Sequence, residues 1–212
     1  MDYTELTTSI GRYTQNDESE FTSEIPYFVK LAEKRIFDQA QLLVARKNAT
    51  SPTVISQQYL QTPTDFLAPY SMAVIVSGVH YPMIFVDETF IREVYPDVTD
   101  EGQPAYYSMF DADTFIMGPT PDSSSYSIEL HYFYYPESIV TADTTWLGDN
   151  APNALLYGTL LEAYRFMKEE QDVIAEAQKH YDNAMNGLKL LSAARDRGDA
   201  YRWGQFRLPV QA

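Results

Sequence analysis

Between Trp146 and Ala194 the chain carries two runs of apolar residues spaced three and four apart, separated by a short polar stretch. An antiparallel pair of helices uses that pattern and little else does, because the spacing puts each run on one helical face. Asn150 offers a side-chain oxygen to cap the first helix, and Pro152 falls in a first turn, where its missing N–H costs nothing, so the helix is predicted to begin near Ala151. Leu156, Leu160, Ala163 and Met167 then share a face. The polar run from Lys168 to Asp172 marks a turn, after which Ile174, Ala177, Tyr181, Ala184, Leu188 and Leu191 alternate in steps of three and four, a packing seam. Arg195, Arg197 and Gly198 supply the cations and the glycine favoured at a helix C-terminus.

Such seams need partners, and the other end of the chain offers them. Tyr3 to Tyr13 reads as a short helix with Leu6 and Ile10 on one side, ended by Gly11 and the polar stretch Thr14 to Glu20. Ser23 caps a second start, Pro26 occupies its first turn, and Phe28, Ala32, Ile36, Ala40 and Leu43 recur at helical spacing through Lys47. The predicted fold is α+β: an antiparallel helical bundle of residues 1–50 and 146–196, a small antiparallel β-rich module inserted at 51–145, and an extended C-terminal arm at 197–212.

In the middle the period changes. Tyr59 to Leu67 holds two apolar pairs around Pro63, Met72 to Val76 reads as a buried strand, and Gly78 permits a turn into Tyr81 to Val86. Asp87 caps a short helix in which Phe90, Ile91 and Val94 are predicted to face inward before Pro96 stops it. Tyr106 to Phe110 and Thr114 to Met117 flank Asp111-Ala112-Asp113, a turn composition. Ile128, Leu130, Tyr132 and Tyr134 alternate with Glu129, His131 and Phe133 in the clearest strand, which Pro136 ends.

Chemistry is sparse. A nucleophile elbow, a phosphate loop, a dinucleotide-binding glycine turn and a His-Glu-x-x-His pair are all absent. His80, His131 and His180 have no second histidine at metal spacing, and Asp111 with Asp113 lacks the remaining ligand and glycine positions of a calcium loop, so no catalytic residue, metal or cofactor is expected. With no cysteine there is no disulfide or thiolate site. No apolar run reaches the roughly 20 residues of a membrane span, and the acidic start, Met1-Asp2-Tyr3-Thr4-Glu5, is unlike a signal peptide. Thirty acidic residues against 15 basic ones give a net charge of −15, concentrated between Asp87 and Asn150, where 13 acids face Arg92 alone. That balance repels polyanions.

The last 14 residues, from Asp199 to Ala212, hold no acid after Asp199, but hold two arginines and three aromatic residues. A fraying end is one reading. Tyrosine, tryptophan and arginine carry binding energy at interfaces, and their concentration here favours a docking peptide.

The helix from Ile25 to Arg46 with Ala32-Glu33-Lys34-Arg35-Ile36 opens a series of motifs continued by Tyr106-Tyr107-Ser108-Met109-Phe110 and Gly118-Pro119-Thr120-Pro121. His131-Tyr132-Phe133-Tyr134-Tyr135-Pro136 follows, then Trp146-Leu147 and the run from Ala154 to Ala163. In order and spacing this series resembles head-to-tail adaptor proteins of short-tailed bacteriophages, the portal-adaptor or tail tubular protein A-like family, along nearly the whole chain. The resemblance implies a non-enzymatic structural protein of the virion, assembled in the host cytoplasm and located at the head–tail junction. It implies a dodecameric ring beneath the portal protein, with tail tube or nozzle proteins below, DNA passing through the lumen without specific binding, and an arm reaching into the portal. The tail matches that arm in place and type, which assigns portal binding to Arg195, Arg197, Tyr201, Arg202, Trp203, Phe206, Arg207, Leu208 and Pro209. The competing readings are another tail-tube or head-completion connector with different neighbours and, from another class, a soluble hydrolase or calcium-binding domain.

The charge balance makes a direct prediction: the free protein gives no measurable shift of duplex DNA at physiological salt in an electrophoretic assay. A micromolar, salt-sensitive shift would contradict it.

Overall fold

A computed structural model describes residues 1–40 and 42–196. Its helices are α1 (Tyr3–Thr14), α2 (Ser19–Gln39), α3 (Glu88–Val94), α4 (Ile139–Ala142), α5 (Trp146–Asn150), α6 (Pro152–Met167) and α7 (Gln171–Asp196). With the sheets given below, antiparallel except where β5 meets β7 and β6 meets β9, they make the chain α+β. Two units divide it: Met1–Val44 with the chain from Pro136 onward, and Ala45–Tyr135.

The first unit is helical and is built round α6, which packs against α1, α2, α5 and α7. One apolar stripe understates it. Leu160 and Ala163 are fully buried as predicted, yet Leu156 and Met167 are only half-buried, while Ala154, Leu155, Gly158, Thr159 and Leu161 are buried as well, so α6 is enclosed on several sides. Gly158 shows how tightly: a Cβ there would stand 3.2 Å from the Tyr181 ring of α7 and 3.3 Å from the Ala32 Cβ of α2. Thr159, with no exposure, satisfies its hydroxyl by donating to the Leu155 carbonyl at 2.8 Å. Tyr181 donates to Gln39 Oε1 at 3.2 Å, and burial pushes its phenol up to about 12. Arg35 of α2 and Glu162 of α6 form an ion pair, which Arg165 joins at 3.2 Å.

Several boundaries differ from the sequence reading. α1 runs past Gly11 to Thr14 and ends where Gln15 takes a left-handed conformation, φ 48°, and donates its N–H to the Gly11 carbonyl. Its start is fixed by a capping box, Asp2 with Glu5, which supplies two orphan amides with acceptors. α2 begins at Ser19, so Ser23 is no cap; it lies inside the helix, its hydroxyl donating to the Glu20 carbonyl, and Pro26 is likewise interior. α2 ends at Gln39, where Ala40 turns extended, and does not reach Lys47; Leu42 is buried but Leu43 is 42% exposed. Asn150 does not cap α6 either. It closes α5, its amide donating to the Trp146 carbonyl, while Thr145 caps α5 and Pro152 opens α6.

α7 is antiparallel to α6 across a turn at Lys168, Glu169 and Glu170. Ala177, Tyr181 and Leu188 are buried along the seam, joined by Met185, but Leu191 is 41% exposed and Leu190 69%. The seam stops at Leu188 because α7, with 26 residues, outruns the 16 residues of α6 by about 15 Å at 1.5 Å per residue.

The second unit holds strands β1 (Arg46–Pro52), β2 (Tyr59–Gln61), β3 (Ala68–Val76), β4 (Val79–Pro82), β5 (Ile84–Phe85), β6 (Glu101–Gly102), β7 (Tyr106–Asp111), β8 (Thr114–Gly118), β9 (Thr120–Pro121) and β10 (Ser127–Phe133). Instead of one small sheet there are two of four strands, ordered β1-β10-β3-β4 and β2-β8-β7-β5, with a β6–β9 ribbon. Met72, Val74, Ile128, Leu130 and Tyr132 from the first sheet share a core with Tyr107, Phe115 and Met117 from the second. β10 alternates as predicted, with Ile128, Leu130 and Tyr132 inward. The β3–β4 hairpin turns through Ser77 and Gly78, both at positive φ (52° and 82°), a geometry for which glycine is suited. Asp87 does cap α3, accepting from the Thr89 N–H, yet of its apolar residues only Ile91 is buried; Phe90 and Val94 face solvent at 39% and 46% exposure, since α3 is a seven-residue helix with one face to pack.

Two predictions concern the helical unit. Leu160→Ala and Leu188→Ala each lower unfolding stability by about 2–5 kcal/mol, read by denaturant titration. Glu33 is buried in α2 and accepts the Ile139 N–H at the start of α4 at 2.9 Å; burial raises its pKa against that hydrogen bond and the positive charge of Lys30. A carboxyl raised on folding favours the native state below its unfolded pKa, and that advantage is lost as pH rises through the raised value. Glu33→Gln, which keeps an acceptor, therefore gains stability over the wild type at about pH 7 relative to about pH 4, whereas Glu33→Ala orphans the amide and loses about 1–3 kcal/mol.

Candidate functional site

The candidate docking segment starts from the overhang of α7. Beyond Leu188 that helix has no α6 beside it, and Leu190 and Leu191 are exposed. Arg195 lies in its last turn, although its side chain is outside the described part of the structure. Arg197, Tyr201, Arg202, Trp203, Phe206, Arg207, Leu208 and Pro209 all lie outside the described residues. What the structure adds to the sequence reading is therefore the base of the segment: a single helix carrying two exposed leucines.

At the opposite end of α7 the helical unit has two neighbouring depressions. One, of about 590 Å³, lies where α1, α2 and α6 end or begin, and its rim is acidic: Asp17, Glu18, Glu20 and Glu169 surround Phe21 and Phe166. Phe21, Phe28 and Phe166 form a ring cluster with centroids 5.3 to 6.3 Å apart, and Phe166 stays 43% exposed. The other, of about 320 Å³, is aromatic and lies between α1, α6 and α7. Tyr13 meets Tyr157 edge-on at 6.3 Å, and His180 stacks on Tyr157 at 4.8 Å with 16° between planes. Tyr157 is held above its ordinary pKa first by its hydrogen bond with Tyr13, then by burial and the charge of Glu176. Periodicity placed neither Tyr157 nor His180 on a seam, and their pairing was not legible because the two residues face each other from different helices.

The second unit brings two of the three histidines together. His80 of β4 and His131 of β10 approach the same carboxylate, Glu129, at 3.0 and 3.7 Å, and Asn48 donates to it at 2.8 Å. Glu129 is held below the usual carboxylate range mainly by the Asn48 hydrogen bond, with both histidines adding. Fifty residues separate them in sequence; pairing of β10 with β1 and β3, and of β3 with β4, makes them neighbours. Among the described residues no group of three or more His, Cys, Asp or Glu side chains is arranged to hold a metal. The Asp111 carboxylate accepts from the Asp113 N–H at 2.8 Å, which closes the β7–β8 turn. Near that turn Phe110, 41% exposed, meets Tyr59 at 4.9 Å and lies under Arg92 at 5.9 Å, an aromatic ledge open to solvent.

No helix among the described residues is long and apolar enough to cross a membrane. No curated protein matches the chain. The sequence profile of the SU10 adaptor proteins matches residues 1–209, through the helical unit, the β-rich unit and most of the C-terminal segment. The chain belongs to the SU10 adaptor protein family, structural adaptors of the bacteriophage virion.

Proposed function

We propose that the protein is the head-to-tail adaptor of a bacteriophage, forming a dodecameric ring that attaches beneath the portal protein, joins it to tail tube or nozzle proteins, and encloses part of the DNA channel. The observation that carries this reading is the family match over residues 1–209, since it includes the cationic, aromatic C-terminal segment as well as the folded units. In this reading the chain works as a helical body from its two ends, a β-rich module between them and a docking arm, and it carries no catalytic site. The arm, with Arg195, Arg197, Tyr201, Arg202, Trp203, Phe206, Arg207, Leu208 and Pro209, binds the portal. Arginines pair there with carboxylates or carbonyls, and Trp203 and Phe206 supply apolar anchors.

Physical arguments support both halves. An arm of 16 residues, 197–212, can extend roughly 50 Å, far enough to reach a separate protein. Many arms on one ring act at high effective concentration, so modest contacts sum to firm attachment. A net charge of −15 suits a channel wall, because a surface that repels phosphate lets DNA move without sticking.

Deleting Asp199 to Ala212 is expected to leave the body folded and to abolish stable attachment to isolated portal rings. Co-sedimentation of truncated and full-length protein with those rings checks it; equal attachment by both would place the interface on the folded surface.

A further inference from the structure

The aromatic depression of the helical unit has the composition of a cation site. Tyr13, Tyr157, Tyr164, Val173, Glu176 and His180 line it. Three phenol rings and an imidazole give it π faces, and the carboxylate of Glu176 gives it a negative charge. Glu169 and Glu176 both add negative potential at Tyr164. Val173 is 36% exposed and the His180 side chain 47%, so the site is open. A guanidinium laid on the Tyr157–His180 stack would have both a π surface and a carboxylate partner, a combination that suits arginine better than lysine, whose compact ammonium does not stack.

We propose that this notch is a receptor for an arginine side chain, and that in the free protein the chain's own C-terminal segment, residues 197–212, fills it from the same copy. Charge complementarity is one argument: after Asp199 the segment has two arginines and no acid, while the end of the unit holding the notch is rich in carboxylates. Length is the other. From His180 to Asp196 is about 24 Å of helix at 1.5 Å per residue. A chain returning along α7 in extended form covers that distance in about seven residues at roughly 3.3 Å each, and reaches Glu176 some two residues later. The stretch that arrives is Arg202 to Arg207, which holds both arginines together with Trp203 and Phe206. Being tethered, the segment acts at an effective concentration in the millimolar range, so a contact too weak to hold a free peptide is populated within one chain.

The latch and the portal attachment are separable, since the test uses the isolated protein. The chain has no cysteine, so Val173→Cys with Gly204→Cys in the full-length protein introduces a unique pair for a short bismaleimide. The expected product is an internal cross-link that runs as a monomer on a denaturing gel and forms at a rate independent of protein concentration. Adding Glu176→Lys, a change at a side chain 77% exposed, should slow it by at least about fivefold, the loss expected when an ion pair becomes a repulsion. In the chain without cysteines, trypsin should cut after Arg202 and Arg207 more slowly than in the Glu176→Lys variant by a similar factor. Cross-links found only between chains, no cross-link faster than one from Gly204→Cys to Ser9→Cys, or rates and cleavage unmoved by Glu176→Lys would each overturn the proposal.

Discussion

Two helices can close on the same point of a third only where no side chain stands in the way, and α6 meets that condition at Gly158. Ala32 of α2 and Tyr181 of α7 meet there, each a little over 3 Å from where a Cβ would be. The arrangement of the helical unit follows from that closeness. Tyr181 can bury its ring and still donate to Gln39, and Arg35 can reach Glu162 from α2. A Cβ at 158 would press on the Ala32 methyl, so the small residue at 32 and the missing side chain at 158 act as a pair. In a helix of this length glycine costs up to about 1 kcal/mol of propensity, which the surrounding burial of Leu155, Leu160, Leu161 and Ala163 outweighs.

The seams that report a helix facing one partner were legible from spacing alone, as at Leu160, Ala177, Tyr181 and Leu188. Leu155, Leu161 and Thr159 were not, because a helix enclosed on several sides has no polar stripe to define a face. The ends were harder still. Asn150 and Ser23 are good capping residues by type, but each donates its side chain back into a helix, and α6 and α2 start without a side-chain cap, whereas Thr145 and Asp2 cap α5 and α1. Residue type marks capping candidates, and packing decides where each helix begins.

In the β-rich unit the inner strands and the β3–β4 hairpin were readable, and the edge strand β1 was not. β10 lies between β1 and β3 and must alternate, since one face of it is core. β1, on the outside, is Arg-Lys-Asn-Ala-Thr-Ser-Pro, a sequence with no apolar period. That polarity is what an exposed edge requires: lysine and a terminal proline discourage a second chain from pairing there. The feature that hid the strand from a periodicity argument is the one that lets it sit at a sheet edge. Of the candidate sites, the cationic tail was visible as composition, whereas the grouping of His80 and His131 at Glu129, and of Tyr157 with His180, depends on strand pairing and helix register that spacing does not encode.

The unequal lengths of α6 and α7 separate the part of the chain that packs from the part that does not. With Gly158 opposite Tyr181, antiparallel register sets Pro152 level with about Gly187, so the seam loses its partner within a residue of Leu188. Continuing the leucine pattern to Leu190 and Leu191 gains nothing inside this unit, and two exposed leucines on one helix carry a solvation cost. That cost is offset where another surface covers them. They stand directly before a segment whose arginines and aromatics are of the kind that anchor interfaces, so in the proposed docking role the overhang supplies an apolar base where α7 has already left its own core.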